Sequence, residues 1–151
     1  MATITVSPEF GYVAATAVAS HLVSLWIGIK VSGARKAANV PYPNAYATST
    51  EAATSPAKYK FNCWQRAHAN YLETYPGFLT MLFIAGLKYP TYAAGSGAIY
   101  LVGRIFYSLG YANSPKPEGK GRYNGAFFHL GLLSLLGLSG KVAWDLVSLN
   151  L

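Results

Sequence analysis

Apolar stretches of membrane-crossing length alternate along the chain with short polar, proline-bearing segments. Residues 10–29 contain no Lys, Arg, Asp or Glu, and about 20 apolar residues cross the hydrocarbon core of a bilayer. They predict a first span over about 10–36, closed by Lys30, Arg35 and Lys36. No basic residue precedes it and no small-residue cleavage site follows, so it reads as a span rather than a signal peptide. Residues 39–60 read as a loop because Pro41, Pro43 and Pro56 punctuate a run rich in Asn, Ser and Thr. A second span is predicted over about 59–87, with Pro76 expected to kink it. Tyr89 and Pro90 mark a turn too short for anything but a helical hairpin, and a third span follows over 91–111. Its AAGSGA run suits close helix packing. The polar NSPKPEGKG at 113–121 separates it from a fourth span over 122–149. The expected fold is an all-α integral membrane four-helix bundle, with residues 1–151 forming one domain free of internal repeats.

Composition supports this class. Hydrophobic residues make up 52% of the chain and charged ones 11%, against roughly 25% charged in soluble domains. The net charge of +7 does not indicate nucleic acid, because the basic residues lie between apolar segments. There they orient a membrane protein instead. The loops at 32–60 and 112–122 hold Arg35, Lys36, Lys58, Lys60, Lys116, Lys120 and Arg122, whereas the other side has Lys88 and Lys141. Both long loops are therefore expected in the cytosol and both termini across the membrane. The lone Cys63 excludes an intrachain disulfide framework, argues against a zinc site and reads as a small core residue. His21 reads as a buried, hydrogen-bonded side chain.

The polar half of the second span carries the chemistry. Arg66, Asn70 and Glu73 fall at i, i+4 and i+7, one stripe on a helix. Arg104, Tyr107 and Tyr111 form a second stripe on the third span. Charged groups in such apolar company are costly and point to function. Arg35, Lys36 and Arg122 are expected at the same depth. One acid, Glu73, then faces at least three cations, a layer suited to an anionic polar ligand with a single ammonium group. The plainer alternative is an Arg66–Glu73 pair across two helical turns beside ordinary interfacial Tyr and Arg.

The run FNCWQRAHANYLETYP at 61–76, with GRIFYSLGYA at 103–112 and VSGARKAANVPYP at 31–43, resembles the membrane-associated proteins in eicosanoid and glutathione metabolism, the MAPEG family. The pattern FNC-x-QRAH-x-N-x-LE-x-YP resembles its type-three microsomal glutathione S-transferase branch at every fixed position. The resemblance covers roughly residues 28–125. It implies a four-helix protomer in a homotrimer, with glutathione as co-substrate bound between protomers near the cytosolic face and no metal. By motif, Arg66, Asn70, Glu73, Tyr107 and Tyr111 would hold glutathione, with Arg104 in support. Arg35 would reach in from the neighbouring protomer. Lys36 stands where a leukotriene-forming branch has a second arginine, His68 where that branch has a glutamine, and Thr74 where it has a tyrosine. Arg122 is expected to activate the thiol, with Lys120 as the alternative. The chemistry implied is attack of the glutathione thiolate on a lipophilic electrophile or a lipid hydroperoxide, at the endoplasmic reticulum or outer mitochondrial membrane. A free thiol of this type has a pKa of about 8.5, so a guanidinium beside the sulfur would favour the reactive thiolate. The competing readings are a non-catalytic lipid-binding scaffold, like the lipoxygenase-activating branch, and an oligomeric pore. A pore would want polar residues spread through the membrane depth, and here they gather at one end.

Overall fold

The computed structural model describes residues 6–113 and 117–148, and all regular structure among them is helical. In chain order these are α1 (Phe10–Ala38), α2 (Ser49–Thr54), α3 (Pro56–Gly86), α4 (Pro90–Asn113), a 3₁₀ segment (Pro117–Gly125) and α5 (Phe128–Ser148). Residues 114–116 of the expected polar loop, and Leu149 at the end of the expected fourth span, lie outside the described residues.

α1 is long because nothing in its first two-thirds carries charge or breaks a helix. It stops where Asn39 takes a left-handed φ of 50°, a conformation Asn tolerates just past a helix end. Arg35 and Lys36 sit in the last turn, where cations suit the helix dipole. Its buried positions include Val13, Ser20 and Ile27, seven residues apart. His21 lies one residue, about 100° of rotation, off that line. It is therefore exposed, which corrects the expectation of a buried histidine.

α3 and α4 each open on a proline, Pro56 and Pro90, where the missing N–H costs nothing. α3 continues unbroken through Pro76, and the Thr80 hydroxyl donates to the Pro76 carbonyl at 2.8 Å. The segment read as an uninterrupted loop contains α2. Thr48 caps it: its hydroxyl accepts from Glu51 N at 3.3 Å, while the Glu51 carboxylate accepts from Thr48 N at 3.0 Å. A donated bond from the Lys58 ammonium, with those from Thr48, lowers the Glu51 pKa to about 2.

The fourth span also starts later than expected. Arg122 belongs to the 3₁₀ segment, and α5 begins at Phe128. Glu118 and Gly119 adopt φ of 56° and 63°, the left-handed region that glycine enters freely. At Gly125 a Cβ would lie 2.2 Å from both Gly103 O and Tyr107 N. Glycine there lets the backbone settle on α4 before a helix can resume.

By length and composition α1 and α5 are apolar enough to cross a membrane. Val18, Leu22, Leu25 and Ile29 form an outward row on α1, and Leu130, Leu133 and Leu136 point outward on α5. Contiguous exposed apolar surface of this kind needs a lipid or protein neighbour.

The chain divides into two compact units, and α1, α3 and α4 contribute segments to each. The first comprises Met1–His21, Thr74–Val102 and Phe127–Leu151. Its core stacks Phe78 on Tyr100 at 4.2 Å, with Phe128 edge-on to Tyr100 at 5.8 Å. The Tyr100 hydroxyl shares a 2.9 Å hydrogen bond with Thr74, and Ser96 bonds Ser134 at 2.8 Å. The second unit comprises Leu22–Glu73 and Gly103–Ala126. Trp26 meets Trp64 edge-on at 5.9 Å, and Cys63 is buried as expected. The Asn62 amide clamps Ala47, accepting from its N and donating to its O, both at 2.9 Å. This fastens the loop after α1 onto α3.

Candidate functional site

Every residue singled out from the sequence as a site residue lies in the second unit. The α3 residues share one stripe, and Arg66 and Glu73 pair across two turns, the contact that the plainer alternative expects. Arg66 Nη1 donates to Glu73 Oε1 at 2.7 Å, and Asn70 Nδ2 donates to Glu73 Oε2 at 3.3 Å. Asn70 then uses its other end, Oδ1, to accept from Arg104 Nη1 at 2.9 Å. A continuous line therefore runs from the exposed Arg66 and Glu73 to Arg104, which is completely buried. The Arg104 guanidinium lies over the rings of Tyr71 and Tyr107, at 5.2 and 5.0 Å. Aromatic faces and an amide oxygen stabilise a cation that burial would otherwise penalise. Arg104 thus sets the position of Asn70 and Tyr107 from beneath.

Tyr107 and Tyr111 meet edge to face at 5.8 Å. Tyr111 and Arg66 share the wall of a cavity of about 510 Å³ with Tyr46, Tyr59, Cys63 and Gly119. The 3₁₀ segment borders it and carries both candidates for thiol activation. Arg122 Nη1 donates to the carbonyls of Glu118 and Gly119 at 3.0 and 3.1 Å, and Nη2 donates to the Tyr123 hydroxyl at 2.9 Å. Its guanidinium carbon stands 5.6 Å from the Tyr111 ring centre. Lys120 is exposed and pairs with Glu118 at 2.8 Å. Neutral acceptors orient Arg122, which makes no ion pair among the described residues, whereas Lys120 has a carboxylate on it.

The remaining candidates face elsewhere. Arg35 is buried, donating to Asn44 O at 2.6 Å and covering the rings of Tyr42 and Phe61 at 4.4 and 4.6 Å. With Lys36 it lines a separate cavity of about 410 Å³. His68 lines a third, of about 510 Å³, against Ser24, Gly28 and Ser32 of α1. Arg35, Lys36 and His68 do not line the cavity that Arg66 and Tyr111 share.

Sequence reasoning passed over four residues. Tyr59 accepts from Gly119 N at 2.9 Å and ties the 3₁₀ segment to α3. Asn62 clamps the loop, while Glu118 and Tyr123 steer Lys120 and Arg122. Asn62 stands inside the FNC motif and could have been asked for a partner. The other three lie in polar stretches that carry no spacing signal.

A family model described as the MAPEG family matches residues 13–144. The chain belongs to the MAPEG family, whose members are membrane proteins. Among its relatives, bovine (Bos taurus) leukotriene C4 synthase is 31% identical over 142 residues, 93% of this chain and 79% of the relative. Human (Homo sapiens) microsomal glutathione S-transferase 2 is 36% identical over 78 residues, 51% of this chain and 50% of the relative. The mouse (Mus musculus) protein of the same name is 39% identical over 72 residues, covering 47% and 46%. The chain thus spans about half the length of the two transferases it matches.

Proposed function

We propose that the chain is a membrane glutathione S-transferase with glutathione-dependent peroxidase activity. The observation that carries this reading is the Glu73 carboxylate set among Arg66, Asn70 and the buried Arg104, in a chain whose relatives include proteins named for glutathione transfer. Glu73 would take the ammonium group of glutathione and Arg66 a carboxylate, with Asn70, Tyr107 and Tyr111 along the peptide. Arg122 would stand by the sulfur and stabilise the thiolate. In conjugation the sulfur forms a bond to the electrophilic carbon, and the displaced electron pair leaves with its group or collects a proton. With a hydroperoxide the thiolate takes the terminal oxygen and the lipid leaves as an alcohol. A second glutathione then displaces water to give the disulfide. Burial of the electrophile in lipid brings it to a sulfur held at the hydrocarbon edge.

The same proposal includes a homotrimer at the endoplasmic reticulum or outer mitochondrial membrane, with both termini away from the cytosol. Arg35, Lys36 and His68 would then serve a neighbouring protomer's site. The FNCWQRAHANYLETYP motif supports the type-three branch within the family. Purified, detergent-solubilised protein should consume glutathione with lipid hydroperoxides and small electrophiles. Glutathione binding without consumption by any of them would favour a lipid-binding scaffold.

A further inference from the structure

The five acidic residues of this basic chain are almost fully engaged. Glu51, Glu73 and Glu118 pair with Lys58, Arg66 and Lys120, and Asp145 pairs with both Lys88 and Lys141. Among the described residues Lys30, Lys36 and Lys60 make no ion pair. Two of these three, Lys30 and Lys60, line one groove of about 530 Å³ in the second unit, together with Gly33, Ala37, Trp64 and Leu109. Lys30, Gly33 and Ala37 fall at i, i+3 and i+7 on α1, and Ala57, Lys60 and Trp64 repeat that spacing on α3. Each helix therefore turns a lysine, small residues and the groove in one direction. Among the described residues no carboxylate lines it. Both lysines are exposed, while Trp64 is buried.

We infer that this groove binds an anionic phospholipid drawn from the bilayer. The headgroup phosphate lies between the Lys30 and Lys60 ammonium groups, and the start of an acyl chain runs over Gly33 and Ala37 toward Trp64 and Leu109. Charge complementarity selects this occupant. Basic groups near a membrane surface attract anionic lipid, and small side chains leave room at the floor for hydrocarbon. A second copy of the chain fits less well. It would bring more positive charge, and its acids at Glu51, Glu73, Glu118 and Asp145 already hold partners. The inference is independent of the proposed activity, and its test uses none.

The full chain carrying Trp144→Phe, reconstituted in vesicles, leaves Trp26 and Trp64 as reporters. Phosphatidylserine brominated on its acyl chains quenches a neighbouring indole, as does brominated phosphatidylcholine. At equal mole fraction the brominated phosphatidylserine should quench as though enriched on the order of tenfold, about 1.4 kcal/mol. The preference should fall as salt rises. Lys30→Gln with Lys60→Gln should abolish it, Lys30→Arg with Lys60→Arg should keep it, and Lys88→Gln should leave it unchanged. Equal quenching by the two lipids, or a preference that survives high salt or the double glutamine variant, overturns the inference. So does equal quenching accompanied by a change in oligomeric mass in the double variant, which makes the groove a contact between copies. Should the double variant fail to fold, the salt response of the parent chain decides.

Discussion

Glu73 is surrounded by donors, with Arg66 on one carboxylate oxygen and Asn70 on the other. Replacing it by Gln removes the negative charge that an incoming ammonium would meet while keeping the shape. Glutathione affinity measured by calorimetry should fall about tenfold or more, the scale of a lost charge-assisted hydrogen bond. An unchanged affinity in a folded Glu73→Gln variant would reduce the residue to a surface ion-pair partner. Arg122 and Lys120 differ in another way. Arg122 is oriented by two carbonyls and a phenol, and Lys120 is tied to Glu118. Arg122→Ala should leave glutathione binding within a fewfold, remove most of the bound-thiolate ultraviolet absorbance and slow turnover on the order of a hundredfold. Lys120→Ala should do much less on both readouts, and the reverse order would transfer the thiol-activating role to Lys120.

At the scale of elements, α2 offers a pH handle outside the membrane. Glu51 is held to about 2 by the Lys58 ammonium first and the Thr48 donors second. A carboxylate lowered on folding stabilises fully above its ordinary value and loses that contribution as pH falls through the folded one. Hydrogen exchange of the α2 amides should therefore be flat from pH 7 to about 4.5, after correction for intrinsic rates, and rise as pH drops toward 2. A rise already complete at pH 5 would mean that the capping box does not hold the helix.

The same elements show what was legible beforehand. The long apolar helices follow from the length of their apolar runs, and the α3 stripe from helical spacing, where each residue's role depends on neighbours three or four positions away. α2 was readable only from Thr48 and Glu51, a capping box lost in a stretch punctuated by prolines. The late start of α5 depends on Gly125 settling against Gly103 and Tyr107 of α4, a contact between distant parts of the chain that no local pattern encodes. His21 was misjudged for a related reason: a polar residue in an apolar run suggests burial, but the helix phase decides. The site was half legible. Arg66, Asn70 and Glu73 announced themselves by spacing, whereas Tyr59 holding Gly119 joins residues 60 apart in sequence.

For the whole molecule, the proposed orientation and assembly are each open to a direct test. Cysteines introduced at Ser49 and Ser7 should label from the cytosolic side and the opposite side respectively. The native Cys63 is buried and should stay silent. Labelling of the Ser7 position from the cytosol would invert the topology. The same test at Ser114 lies outside the described residues. Arg35, Lys36 and His68 line cavities apart from Arg66, and in the proposed homotrimer they would complete a neighbour's site. Native mass spectrometry should give a homotrimer, and a monomer that still binds glutathione would refute sharing.

The Arg66–Glu73 contact has one more implication, best put in the language of exchange. In the proposed site the two side chains act as each other's stand-in, the carboxylate for an incoming acid and the guanidinium for an incoming amine. A guest offering both charges replaces both halves of the contact together. A guest offering only one evicts a partner and leaves it without a counter-charge. If Arg66 and Glu73 hold glutathione as proposed, selectivity for a zwitterionic peptide would come from the misfit of half-matching guests as much as from attraction to the right one.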